Sequence, residues 1–255
     1  TAPPTADPTA AIPPAVVERS LRTSIKDGMA YAVMAGGGER YVAPFIIVSS
    51  PRPLLVAGIT ALPALAGAIV QCCGANLADI TGHRRRIFVG ASAAQALMWI
   101  PLCAAVFLTG PWQYGLMLSA FILYVGLFNL GIPAWNSVMG DLVPAHRRGR
   151  YFGFRNALIG GAIIASALLA GRWLTFAEHH PALALFGLSG QEFGFFVLFA
   201  IACLARLLSA WYLSRMHEPA YHRQTSDRFT LWEFIRPAPR AQFGRFVFYC
   251  GALHL

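Results

Sequence analysis

The chain has 255 residues, of which 56% are hydrophobic and only 12% charged, against about 25% charged in ordinary soluble domains, and this excludes a soluble globular protein. Its formal charge of +9 does not point to nucleic acid, because the basic residues sit in the gaps between apolar stretches and form no binding stripe. Five cysteines, Cys72, Cys73, Cys103, Cys203 and Cys250, all fall inside apolar segments without metal-ligand spacing, so they read as small buried hydrophobes and not as a disulfide framework.

The chain opens at Thr1 on a stretch rich in Pro, Ala and Thr, with no basic n-region of a cleavable signal, and residues 1–17 read as a disordered cytoplasmic tail. A bilayer crossing takes roughly 20 apolar residues. Six segments meet that length, at about 28–48, 54–78, 87–109, 113–139, 151–174 and 193–214. Together they predict a bundle of six transmembrane helices over 18–214. A seventh crossing begins near 243, and the sequence stops at Leu255 inside it, so the chain is expected to be a fragment cut within a membrane helix. Residues 215–242 form a cytoplasmic linker. Its Thr230-Leu231-Trp232-Glu233 is a capping box, and Phe229, Trp232 and Ile235 recur at helical spacing, which predicts an interfacial helix ended by Pro237 and Pro239.

Arginines set the orientation. Arg19, Arg22 and Lys26 precede the first crossing. Arg84, Arg85 and Arg86 fill the second gap, Arg147, Arg148 and Arg150 the fourth, and six arginines from Arg215 to Arg245 the sixth. The odd gaps hold only Arg52 and Arg172. This alternation places the N-terminus and the even gaps in the cytoplasm.

Two of those gaps carry motifs. In Asp79-Ile80-Thr81-Gly82-His83-Arg84-Arg85-Arg86, an acid ends one helix and arginines start the next. In Gly140-Asp141-Leu142-Val143-Pro144, followed by Arg147-Arg148-Gly149-Arg150-Tyr151-Phe152-Gly153, the same grammar returns two helices later. The first resembles the loop between helices 2 and 3 of the major facilitator superfamily, with Asp79, Gly82, Arg84 and Arg85 on the pattern. Ala75 departs from its first glycine, Ile80 from a basic residue and His83 from an arginine. The second is similar to the loop between helices 4 and 5 of many bacterial members. The resemblance implies an all-α polytopic membrane protein, the N-terminal half of that fold built as a 3+3 inverted repeat and truncated in helix 7. It further implies a multi-pass protein of the bacterial inner membrane, a secondary transporter that moves a small solute by alternating access with the missing C-terminal half of the same chain, and protons as a candidate coupling ion. It implies no cofactor.

The loop chemistry suits a cytoplasmic gate. A carboxylate at a helix C-terminus is opposed by the helix dipole unless a cation pairs with it. Arg84, Arg85, Arg147 and Arg148 are near enough in sequence to pair with Asp79 and Asp141. The plainer alternative is a static topology anchor.

Glu39 and Arg40 interrupt the first crossing near mid-bilayer, about 18 Å along a helix from Asp27. Charges there are costly and face a cavity or a partner. Tyr31 lies eight residues earlier and shares the Glu39 face. Gly36-Gly37-Gly38 before and Pro44 after predict a bent or opened helix, of the kind that lines a cavity. Two roles suit Glu39: contact with a solute or proton, or a buried structural pair with Arg206. In the fourth crossing Asn129, Pro133 and Asn136 share a face, which suits either a pore lining or helix packing. Gln71 and Gln95 read as packing contacts, and His179-His180 as a solvated outer loop. The fifth crossing has Gly160-Gly161 but lacks the Gly-Pro pair of resembling drug/proton antiporters. A Walker-type loop is absent, so nothing supports ATP-driven transport. The sequence has no cluster of His, Asp or Glu at one membrane face, as a polytopic enzyme would need. The remaining alternative to a transporter is a non-transporting sensor or assembly protein on the same fold.

Overall fold

In the computed structural model the described residues are 12–50, 52–180, 182, 184, 187–219 and 249, with the backbone alone at 72, 73 and 75–80. The chain divides into two units, Thr1–Ala220 and Tyr221–Leu255. Most of the expected linker helix and of the start of a seventh crossing lie outside the described residues, apart from 215–219 and Tyr249, which is helical.

The first unit is all helix among the described residues: α1 Pro14–Gly37, α2 Val42–Ser49, α3 Pro53–Thr81, α4 Arg84–Leu97, α5 Trp99–Ala105, α6 Gly110–Leu142, α7 Arg148–His179 and α8 Gly190–Ser214. Its starts are written locally. Pro14 sits in the first turn of α1, where its missing N–H costs nothing. Ser189 caps α8 in a capping box: its hydroxyl accepts the Glu192 N–H, and the Glu192 carboxylate accepts the Ser189 N–H at 2.8 Å. Helix α1 begins four residues inside the stretch expected as tail.

Five helical stretches are long and apolar enough to cross a membrane: Pro53–Gln71, Arg84–Ala105, Gly110–Leu142, Ala145–His179 and Gly190–Ser214. The other expected crossing, 28–48, is broken into α1 and α2 by a 3₁₀ turn at Glu39–Tyr41. Proline chemistry explains the break. Pro44 has no N–H to give the Arg40 carbonyl, and the turn tightens there. Pro101 deprives the Leu97 carbonyl in the same way, which separates α4 from α5.

Helix α1 packs on α7 and α8, α4 on α6 and α8, and α3 on α6, while α1 and α6 meet only sparingly. Gly36 makes the α1–α7 approach possible: a Cβ there would run into the Ile163 carbonyl oxygen and the Ser166 side chain. Two apolar clusters result. One gathers Trp99, Tyr124, Phe45, Phe195 and Phe199; the other gathers Phe88, Val138, Met139, Leu142 and Leu213. Many large apolar side chains, among them Leu65, Ile69, Leu168 and Leu204, point outward, as lipid-facing surfaces require.

Candidate functional site

Polar residues recur at helical spacing on facing helices: Asp27 and Tyr31 on α1, Ser92 and Gln95 on α4, and Arg206 and Ser209 on α8. Each pair shares one face. The fold brings these faces together with Arg155 of α7.

Arg206 is the hub. Its Nε donates to Gln95 Oε1 at 2.6 Å, Nη1 to Ser209 Oγ at 2.7 Å and Nη2 to Ser92 Oγ at 2.9 Å. Ser209 Oγ in turn donates to Asp27 Oδ1 at 2.6 Å. The other oxygen of Asp27 lies 3.6 Å from Arg155 Nη2. Arg155 Nε donates to Ser24 Oγ at 3.1 Å, and its guanidinium lies over the Trp135 ring at 4.6 Å. Asp27 and Arg206 are each 5% exposed. Burying such charges is tolerable because the carboxylate and the guanidiniums are linked to one another, directly or through hydroxyls.

Asp27, Ser92, Arg155, Trp135 and Arg206 border a cavity of about 300 Å³. Phe88 and Leu213 wall it on one side. Tyr31, stacked on Phe128 at 5.6 Å, walls another, and Asn136 and Asn156 add amides. It lies where α1 and α6 draw apart. Three residues picked out in the sequence, Tyr31, Asn136 and Arg206, therefore come together.

Others do not join them. Arg206 forms no ion pair with Glu39 among the described residues, so the structural pair, one of the two roles open to Glu39, is not formed. Glu39 instead accepts a hydrogen bond from Tyr124 Oη at 2.9 Å, beside Trp99. Arg40 is exposed. Asn129 turns back to the Val125 carbonyl at 2.9 Å and lies against Gly67 of α3, so it packs helices instead of lining the cavity. It shares a face with Asn136, but the seven residues between them span about 10 Å, enough to change neighbours. Gln95, expected as a packing contact, bonds across helices to Arg206.

Asp27, Ser92, Arg155 and Ser209 complete the site without standing out in the sequence. Asp27 lies just before the first expected crossing, and Arg155 follows the arginine run Arg147, Arg148 and Arg150 by about a turn, so neither stands out from interfacial charge. The signal that could have found them is the i, i+3 or i, i+4 pairing of polar residues within apolar helices.

The loop motifs form a second constellation. Gly82 turns the chain at φ 65°, a left-handed conformation that glycine adopts freely. Arg84 is buried, and its Nη1 donates to Asp141 Oδ2 at 2.5 Å and to Ser137 Oγ at 2.8 Å. Its Nη2 donates to the Pro219 carbonyl at 3.1 Å. Arg85 donates its N–H to Glu218 Oε1 and its Nη1 to the Met216 carbonyl, both at 3.1 Å. So α4, α6 and the segment after α8 are tied at one end of the bundle. Arg148 does not pair with Asp141. It caps the end of α6, with Nε on the Val143 carbonyl and Nη2 on the Gly140 carbonyl. Arg147 is exposed in the 3₁₀ turn Ala145–Arg147. The Asp79 side chain lies outside the described residues. His179 and His180 lie 2.7 Å from the carbonyls of Thr175 and Phe176, one turn back.

The family model described as Major Facilitator Superfamily matches residues 29–253. No curated protein and no solved structure matches the chain.

Proposed function

The chain belongs to the major facilitator superfamily, whose members are membrane transporters of small solutes, and from that premise we propose that its solute is held in the cavity between α1, α6 and α7. The observation that carries this reading is the pair of guanidinium groups, Arg155 and Arg206, set against the single carboxylate of Asp27 on a cavity of about 300 Å³. Asp27 is committed to both arginines, directly and through Ser209, which leaves the site one positive charge in excess. Such a site favours a solute with one negative group. The Tyr31–Phe128 stack and Trp135 suit an apolar or aromatic body, and Asn136 fixes its orientation.

In this reading the bundle alternates between two arrangements around the cavity, working against a second bundle, and the Arg84–Asp141 tie holds one of them. Glu39, held by Tyr124 and not by an arginine, is the group assigned to proton exchange. The arginine alternation supports a cytoplasmic N-terminus, and a reporter fused after Phe176 should then report the periplasm and one fused after Thr225 the cytoplasm. The reverse pattern would overturn that orientation.

The test of the site is thermal stabilisation of the purified protein by small monocarboxylates against amines of equal size. The acids should stabilise it, and Arg155→Gln or Asn136→Trp should abolish the effect. Equal stabilisation by the amines would refute the anion reading.

A further inference from the structure

A second basic feature stands apart from the cavity, on the outer face of the bundle. Arg19, Arg22 and Lys26 recur at i, i+3 and i+7, one face of α1 ahead of its apolar stretch. Opposite them α8 ends in Trp211 and Tyr212, and Arg215 follows. These residues line an open cleft of about 520 Å³. Four basic side chains meet one acid there, Glu18, which occupies Arg22 at 3.2 Å. Arg19, Lys26 and Arg215 form no ion pair among the described residues. Arg215 is not loose: its guanidinium stacks on the Trp211 ring at 3.7 Å.

The surface beneath the cleft is apolar and exposed. Leu204, Leu208, Trp211 and Arg215 follow one another at i, i+4, i+7 and i+11, a single track along α8, with Leu204 67% exposed. Met29 and Val33 continue below Lys26 on α1, and both are exposed. Cations at the top of an apolar track, with tryptophan at the boundary, match the profile of a lipid at the interface. A free anion would use the cations and leave the tracks idle.

We propose that the cleft between the start of α1 and the end of α8 binds the phosphodiester of an anionic phospholipid. Arg19, Lys26 and Arg215 hold the phosphate, and the acyl chains run along the Leu204–Leu208 and Met29–Val33 tracks. In the orientation given by the arginine alternation this is the inner leaflet.

The experiment is native mass spectrometry and thermal melting of the whole protein with phosphatidylglycerol, phosphatidylcholine or inorganic phosphate. Phosphatidylglycerol should bind and raise the melting temperature, and the other two should do neither. The triple variant Arg19→Gln/Lys26→Gln/Arg215→Gln should bind it on the order of a hundredfold more weakly. Lys26→Gln alone should weaken binding severalfold and keeps the test open if the triple variant does not fold. Arg52→Gln/Arg172→Gln, which removes charge elsewhere, should bind like wild type. Unchanged binding in both cleft variants would overturn the proposal, as would equal loss in the Arg52/Arg172 control. Displacement of the lipid by inorganic phosphate would overturn the assignment to a lipid.

Discussion

Arg206→Gln is expected to destabilise the bundle by roughly 3–5 kcal/mol, the cost of breaking a buried charge network from one side. The substitution removes the group that Ser92, Gln95 and Ser209 all serve. It leaves Asp27 with Arg155 at 3.6 Å as its remaining cation. Poor expression and a lowered melting temperature should follow, and adding Asp27→Asn should bring no recovery, because it strands the Arg155 guanidinium that still pairs with Asp27. Wild-type stability in Arg206→Gln would show that the network contributes nothing. Glu39→Gln should behave in the opposite way. The amide oxygen can still accept from Tyr124, and no arginine is stranded. Stability should change by no more than about 1 kcal/mol. Accumulation of solute against a gradient should be lost while exchange persists. Loss of stability without loss of coupling would return Glu39 to a structural role.

Arg84→Gln should release one end of the bundle. Arg84 joins Asp141, Ser137 and Pro219, and hydrogen bonds to charged groups contribute roughly 1.5–3 kcal/mol each. Losing even about 2 kcal/mol from one of two states shifts their ratio roughly thirtyfold. Transport should fall by at least tenfold, and protease sites around 82–86 should become more accessible. Arg84→Lys should recover little, since a point charge cannot span a carboxylate, a hydroxyl and a carbonyl together. Wild-type transport by Arg84→Gln would leave the loop as a topology anchor.

Much of the fold was legible because apolar length and arginine placement are one-dimensional signals. The crossing at 113–139 lies within α6, and that at 193–214 within α8. Even the break at Glu39–Tyr41 was readable from Gly36-Gly37-Gly38 and Pro44. The site was less legible. Tyr31, Asn136 and Arg206 are legible because a polar residue in lipid demands a partner. Asp27 and Arg155 are not, because each lies at the end of an apolar run, where a charge looks like ordinary interfacial chemistry. Only packing draws them inward: Gly28, next to Asp27, lets α1 close on Ile159 and Arg155 of α7, where a Cβ would run into the Ile159 side chain. That Asp141 needs an arginine partner is readable from residue types. The choice of Arg84 over Arg148 is not, since it depends on which arginine faces inward once the helices are packed.

Two-sided labelling of Asn136→Cys, in protein whose native cysteines are replaced by alanine, tests the central claim most directly. A membrane-impermeant thiol reagent would be applied to right-side-out and to inverted vesicles. Alternating access around the cavity requires labelling from both sides, with protection by a solute that stabilises the protein. Labelling from one side only, unaffected by any such solute, would contradict it.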